Sequence, residues 1–415
     1  MKSFLFTSLA LASASLVSAK VNLPNGWFAI APEEKIKPGK FHGKPRYLTW
    51  MADSQIKHGV EPTTAYTVSA YLSGVLLAYE RTHDEKYRNY VKHHTDYVLY
   101  PAWNGEDILL HNNSNSIDDI RFGHTFLDLY NLTDNEIYKK AAQELKNQID
   151  RTYRTPDGGF YHRYPVYIDQ MWLDGIYMLD VFYARWTHEF EHENSTAWDD
   201  IALQFDLIDA GTTVDRNRTK GLPLHGFDYS KKAIWADPET GAAPRVWGRA
   251  VGWYIMALVD TLDYFPESHA GRARLLKYLQ SLTDAIVAAQ DPTYKGWYNI
   301  MDPGFESKSG NYIESSASAM FVYGLFKSLR LGYIKGDKYL NAALSGYELM
   351  TETFSSHRKD DGALVWGWTA QTGSLSSNGT FEYYASVPLF ENDLKGVSPF
   401  LFSSYEYELY VEGKK

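Results

Sequence analysis

Apolar positions along this chain fall into two kinds of helical pattern. In the first, small and apolar residues run right round the helix, over 63–79 (TTAYTVSAYLSGVLLAY), 118–130, 171–186, 247–264, 315–331 and 396–410. A helix apolar on all sides is expected to be buried on all sides. In the second, a single apolar face repeats with helical spacing, over 85–99, 134–152, 197–210, 268–290 and 337–354. The two kinds alternate. The first begins near positions 62, 118, 174, 249, 314 and 393, so successive starts lie 56 to 79 residues apart. That is a repeat of one helical hairpin plus a loop of variable length. Six such hairpins close into a double ring, predicting an all-α (α/α)6 barrel. Asp157-Gly158-Gly159-Phe160, Lys295-Gly296-Trp297-Tyr298 and Asp361-Gly362-Ala363-Leu364 each follow a polar helix. Turn residues before apolar ones predict short β-hairpins in these loops. The starts of the inner helices then gather at one end and, with the loops, form a pocket.

Composition narrows the class. Residues 1–19 read as a secretory signal peptide: Lys2, an apolar run, then Val17-Ser18-Ala19. Sequons begin at Asn112, Asn131, Asn194, Asn217 and Asn378, so the expectation is a secreted, extracellular glycoprotein. No later run approaches ~18 apolar residues, which predicts no membrane span. No linker divides residues 20–415, which are read as one catalytic domain. Cysteine is absent, which removes disulfides and thiolate chemistry. The net charge of −10 carries no basic run, which argues against nucleic acid as a partner. Aromatic residues are 15% of the chain, with 12 Trp and 32 Tyr. Such an excess suits a large core or a cleft in which sugars stack.

The predicted inner-helix starts carry a distinctive set of side chains. The second opens on Asp118-Asp119 and the third on Asp174. Asp174 sits near the start of an apolar run in which Trp172, Ile176, Leu179 and Tyr183 share one helix face. An enclosed carboxylate there is expected to hold its proton more tightly and to serve as a general acid. An acid facing the helix dipole is the plainer alternative. His162 and Arg163 precede this stretch. The fourth inner helix follows His225-Gly226-Phe227-Asp228 and opens Trp247-Gly248-Arg249-Ala250-Val251-Gly252-Trp253. Arg249 and Trp253 are four apart and share a face. They read either as a carboxylate clamp beside a stacking ring or as an internal Arg–acid pair with Trp as packing. Glu314-Ser315-Ser316 opens the fifth, as a cap or as part of the site. The chain lacks HExxH, an EF-hand loop, a Walker loop and GxSxG. Carboxylates and an Arg in an aromatic cleft fit work on an acidic sugar.

QMWLDGIYM at 170–178, LHGFD at 224–228 and WGRAVGW at 247–253, in that order, resemble the signatures of the unsaturated rhamnogalacturonyl hydrolases of glycoside hydrolase family 105, kin of the family 88 unsaturated glucuronyl hydrolases. The resemblance covers about residue 45 to 412 and implies the same (α/α)6 barrel. It implies removal of a 4,5-unsaturated uronic acid from the non-reducing end of oligosaccharides left by polysaccharide lyases, with unsaturated galacturonyl–rhamnose from rhamnogalacturonan I foremost. The C4=C5 enol ether is hydrated: the residue matching Asp174 protonates C4, water adds at C5, and the hemiketal opens. The resemblance also implies a second carboxylate at Asp118, with Asp119 the neighbouring choice. Substrate contacts fall at His162, His225, Trp247, Arg249 and Trp253, with Arg249 near the uronate carboxylate. No metal or organic cofactor is implied. The expected partner is the anionic oligosaccharide, and the expected state is a monomer or weak dimer. Loops 291–311 and 367–390 are expected to read the leaving sugar. An unsaturated glucuronyl hydrolase, a conventional inverting glycosidase on the same toroid, and a non-catalytic sugar-binding protein stand as alternatives.

Overall fold

The computed structural model describes residues 34–105, 108 and 115–413. The leader expected at 1–19 and the sequon at Asn112 lie outside the described residues. The structure is 57% helical, with two-stranded hairpins in the loops and no closed sheet among the described residues.

The outer helices are Tyr47–His58, Glu85–Leu99, Glu136–Arg151, Ser195–Thr212, Ala270–Ala288 and Asp337–Leu349. Several start on side-chain caps. Asp84 accepts from the Lys86 N–H, Asn135 from Ile137 and Asn194 from Ala197, which satisfies amides that the first turn leaves open. The inner helices are Tyr66–Thr82, Gly123–Thr133, a segment from Leu173 to Phe190, Gly248–Thr261, Ser315–Arg330 and Leu394–Gly413. Their apolar circumference packs both on the barrel axis and on the outer ring. In Gly248–Thr261, for example, every residue but Asp260 is buried. The ring closes where Leu394–Gly413 lies against Tyr66–Thr82. A Cβ on Gly74 would stand 2.7 Å from Leu401 Cδ1, so the two axes can approach only because that position has no side chain. The twelfth helix, Tyr47–His58, was not singled out by the periodicity. It packs on the last inner helix and completes the sixth pair. No helix among the described residues is long and apolar enough to cross a membrane.

Two local expectations are corrected. The predicted helix 171–186 does not begin at Met171. Gln170–Trp172 is a strand, antiparallel to Gly226–Asp228, and helix begins at Leu173 with a π-turn at Ile176–Asp180. Trp172 therefore leaves the face it was expected to share with Ile176, Leu179 and Tyr183, because a strand and a π-turn each break the 3.6-residue period. Asp118 likewise lies in a 3-10 turn, Ile117–Phe122, ahead of the second inner α-helix. Two of the three predicted loop hairpins form around their Asp-Gly turns, while in the third Tyr298 pairs onward with Ile313. Ser355–His357 pairs with Leu364–Trp366 around Gly362, whose φ is +72°. Arg154 bridges Phe160 around Gly158, at φ +100°.

Candidate active site

The starts of the inner helices converge at one end of the barrel, and local pairing fixes which side chains meet there. The strand pair Gln170–Trp172 with Gly226–Asp228 places Trp172 opposite Gly226. The Leu173 N–H then donates to the His225 carbonyl at 3.0 Å. Gly226 is required: a Cβ there would stand 2.6 Å from the Met171 carbonyl oxygen. Asp228 anchors the turn beyond, accepting from the Ser230, Lys232 and Ala233 amides. The consequence is a contact between residues far apart in sequence. His225 Nε2 lies 3.0 Å from Asp174 Oδ2, and His225 Nδ1 lies 2.6 Å from the Tyr384 hydroxyl.

A second strand pair brings up the other carboxylate. Ser116 pairs with Arg163, so Asp118 faces both residues of the His162-Arg163 step. Arg163 Nη2 donates to Asp118 Oδ2 at 2.8 Å, and His162 Nε2 lies 3.7 Å from Asp118 Oδ1. The carboxylate of Asp118 thus joins this group. The His162 ring stacks on Trp172, with centroids 4.2 Å apart at 15°. Burial, together with Arg163 and His225, outweighs the pull of Asp118 and Asp174 and holds His162 below the usual histidine range. The stack on Trp172 fixes the orientation of the ring.

The proton affinity of Asp174 corrects the sequence-based expectation. Burial does raise it. The charge and hydrogen bond of His225, and His162 beyond, outweigh that and leave Asp174 below the ordinary carboxylate value. Periodicity gave the enclosure but not the partner, and the partner decides the sign.

Trp247 and Arg249 come from the start of the fourth inner helix. The Trp247 indole stacks on Tyr384 (5.5 Å, 19°), lies 4.8 Å from His225, and donates to Asn299 Oδ1 at 3.0 Å. Arg249 is 1% exposed. Its Nε donates to Ser316 Oγ (2.7 Å), its Nη1 to the Gln371 carbonyl (3.1 Å), and its Nη2 to Glu314 Oε1 (3.2 Å) and the Ala370 carbonyl. Of the two sequence readings, this is the internal Arg–acid pair. Most of the guanidinium is committed to Glu314 and the 370–371 backbone, so Arg249 is not an open clamp. Trp253, one turn deeper and 2% exposed, stacks on Tyr177 at 4.9 Å and meets Tyr66 edge-on. It forms the floor beneath the carboxylates.

The site thus brings together Asp118, His162, Asp174, His225 and Trp247, with Arg249 and Trp253 behind them. Sequence reasoning missed Tyr384 and Tyr66. Tyr384 lies inside the 367–390 loop assigned to the leaving sugar, on the short helix Phe381–Ser386. The Tyr66 hydroxyl feels Asp118, Arg249, Asp174 and Asp393 together, and burial first, then the acids, lift it far above its usual range. The inner helices starting at Tyr66, Leu173 and Gly248 carry no side-chain cap, although the Leu173 and Gly248 amides are met by the His225 and Asn299 carbonyls. Their positive dipole ends face this mouth. An anion is welcome here despite the net charge of −10.

Comparison with known proteins agrees in extent. The family profile described as Glycosyl Hydrolase Family 88 matches residues 46–411. A protein of Agrobacterium fabrum is 36% identical over 195 residues, 45% of this chain and 82% of the relative. A Bacillus subtilis protein named unsaturated rhamnogalacturonyl hydrolase YesR is 28% identical over 280 residues, 66% of this chain and 74% of the relative. The solved structure of a family 105 glycoside hydrolase from C. acetobutylicum superposes with a TM-score of 0.81 at 35% identity, covering 88% of this chain and 99% of the other.

Proposed function

The chain belongs to glycosyl hydrolase family 88, within the family 88/105 group of unsaturated uronic-acid hydrolases, and on that premise we propose a secreted enzyme that removes a 4,5-unsaturated uronic acid from lyase-generated oligosaccharides. The substrate of choice is unsaturated galacturonyl–rhamnose from rhamnogalacturonan I. The identity with the Bacillus subtilis protein named unsaturated rhamnogalacturonyl hydrolase supports that choice. In this reading residues 1–19 are removed, and 20–415 form one extracellular catalytic domain.

The observation that carries the reading is the Asp174–His225–Tyr384 chain of contacts at 3.0 and 2.6 Å, facing Asp118 and His162 across the mouth of the inner ring. Asp174 donates a proton to C4 of the enol ether. Cationic character then develops at C5 and the ring oxygen, where the Asp118 carboxylate stabilises it. Water adds to C5 and loses a proton to the now ionised Asp174. The C5 hemiketal opens by cleaving its bond to the ring oxygen, giving a ketone. The resulting C1 hemiacetal collapses to release the leaving sugar.

A free Asp174 held below the ordinary carboxylate value is ionised at working pH, so it must acquire its proton as substrate arrives. The uronate supplies the means. A second negative charge about 5 Å away at an effective dielectric of ~20 disfavours the carboxylate by about 3 kcal/mol, or roughly 2 pH units. Binding should therefore take up a fraction of a proton per chain at neutral pH, and more as the pH falls toward the raised value. Calorimetry in buffers of different ionisation enthalpy measures this on Asp174→Ala against the parent, and equal uptake by both would defeat the assignment.

The direct test is the ultraviolet absorbance of the unsaturated uronide, which hydration abolishes. Lyase-treated rhamnogalacturonan should lose absorbance with the parent chain, while Asp174→Asn should lower kcat by several orders of magnitude with the helical circular dichroism unchanged. Faster turnover of unsaturated glucuronyl substrates would reassign the substrate. Release of saturated uronides without loss of absorbance would point to an ordinary inverting glycosidase.

A further inference from the structure

A second cavity, of about 620 Å³, opens at the opposite end of the barrel. All six inner helices line it, through residues such as Ser73, His124, Arg185, Asp260, Lys327 and Phe402, so it lies on the barrel axis. None of Asp118, His162, Asp174 and His225 borders it. Tyr177, whose ring lines it, stacks on Trp253, and Trp253 in turn meets Tyr66. That aromatic layer stands between the cavity and the candidate active site.

The charges of this cavity are unevenly answered. Arg185 pairs with Asp128 at 2.5 Å and Glu189 at 2.8 Å, and Lys327 pairs with Asp260 and Asp263 at 2.6 Å each. Arg121 is different. It is 4% exposed, and among the described residues no carboxylate lies within ion-pair distance. Its Cζ lies 5.0 Å from the centroid of the Tyr177 ring, and its hydrogen bonds are long ones to neutral hydroxyls: Ser69 and Ser73 at 3.4 Å and Tyr177 at 3.2 Å. Among the described residues its Nε has no hydrogen-bond partner, and neither does Nε2 of His124, one helical turn on and lining the same space. A buried guanidinium with no counter-charge is costly unless something supplies one.

We propose that this cavity is a second binding site, for a small oxyanion of the carboxylate class, held by Arg121 with His124 beside it. The volume accommodates a monosaccharide-sized acid. Asn131 and the tyrosines 177, 264 and 323 offer donors and acceptors to its hydroxyls. The anion supplies the counter-charge that the fold withholds from Arg121. Because six inner helices meet around it, occupancy stabilises the whole barrel.

Calorimetry and thermal unfolding of the deglycosylated full chain with sodium galacturonate test this, since Asn131 at the rim opens a sequon. One equivalent should bind, and a hundredfold excess over Kd should raise the unfolding midpoint by about 3 °C. Arg121→Gln and Leu132→Glu should each weaken binding at least tenfold. Leu132 is 38% exposed and lines the rim, so the second variant adds repulsion without touching the core and keeps the test decisive should the first fail to fold. His225→Gln should leave this binding unchanged. Inorganic phosphate binding with the same dependence on Arg121 and Leu132 supports the oxyanion class. No binding, equal displacement by chloride at matched ionic strength, or binding lost in His225→Gln but kept in both cavity variants would overturn the proposal.

Discussion

Tyr384→Phe removes one oxygen from the candidate site and leaves its packing in place. That oxygen lies 2.6 Å from His225 Nδ1, while the ring stacks on Trp247, a contact Phe retains. Burial, then Asp174, lift the phenol far above its usual range, so the hydroxyl keeps its proton. Its hydrogen bond to Nδ1 holds His225 in the orientation that turns Nε2 toward Asp174 Oδ2 at 3.0 Å. In the variant, Nδ1 of a ring only 1% exposed loses its hydrogen-bond partner. An unmet buried polar group costs about 1–3 kcal/mol. The ring relieves that cost by turning, which weakens its contact with Asp174. At about 1.36 kcal/mol per decade, kcat should fall roughly 5- to 150-fold. The pH dependence gives the sign. Burial raises Asp174 and His225 holds it low, so weakening the His225 contact moves Asp174 upward. The limb on which activity declines with rising pH should shift to higher pH. Steady-state kcat and kcat/KM, followed by loss of unsaturated-uronide absorbance from the acid to the neutral range, report both effects. Unchanged kcat, a loss of kcat with a stationary limb, or a limb moving toward acid would each refute the reasoning.

Glu314→Ala should be among the most destabilising single changes in the site, since it strands the buried Arg249 charge; breaking such a pair costs about 3–5 kcal/mol. Urea midpoints compare it with Glu314→Gln, which retains an oxygen for the Ala317 amide that Glu314 caps and should lose less. Asp180 should behave in the opposite sense. It is buried in the π-turn with Oδ1 unpartnered, and burial followed by the charge of Asp200 raises its proton affinity well above normal. A carboxyl raised in the folded state costs stability once the pH passes its unfolded value, and the cost grows up to its folded value. Asp180→Asn should therefore raise the unfolding midpoint at neutral pH and lose that advantage below the ordinary carboxylate range. A gain independent of pH would mean that ionisation is not the cause.

The ring of helical hairpins was legible because burial on every side leaves a mark that needs no partner to read. The inner helix at Ser315–Arg330 and the outer one at Glu85–Leu99 fall almost where apolar spacing put them. What escaped depends on contacts across long sequence separations. Tyr47–His58 finds its place only once Leu394–Gly413 has closed the ring. Trp172 and Asp174 were read as one helix because a three-residue strand and a five-residue π-turn are too short to shift an apolar pattern visibly. Arg249 shows the limit in another way. Its sequence neighbours left clamp and internal pair equally open, and Glu314, 65 positions on, decides for the pair. The same holds for Asp174. Enclosure was foreseeable from the residues around it, and enclosure alone raises a carboxylate. The residue that reverses the sign lies 51 positions away, just before a strand whose pairing depends on Gly226 having no Cβ. Position and chemical type could thus be read locally, whereas protonation state could not, because it is a difference between burial and a distant partner's charge. An acid poised low until an anionic substrate raises it follows from that difference, not from the burial which first drew attention to it.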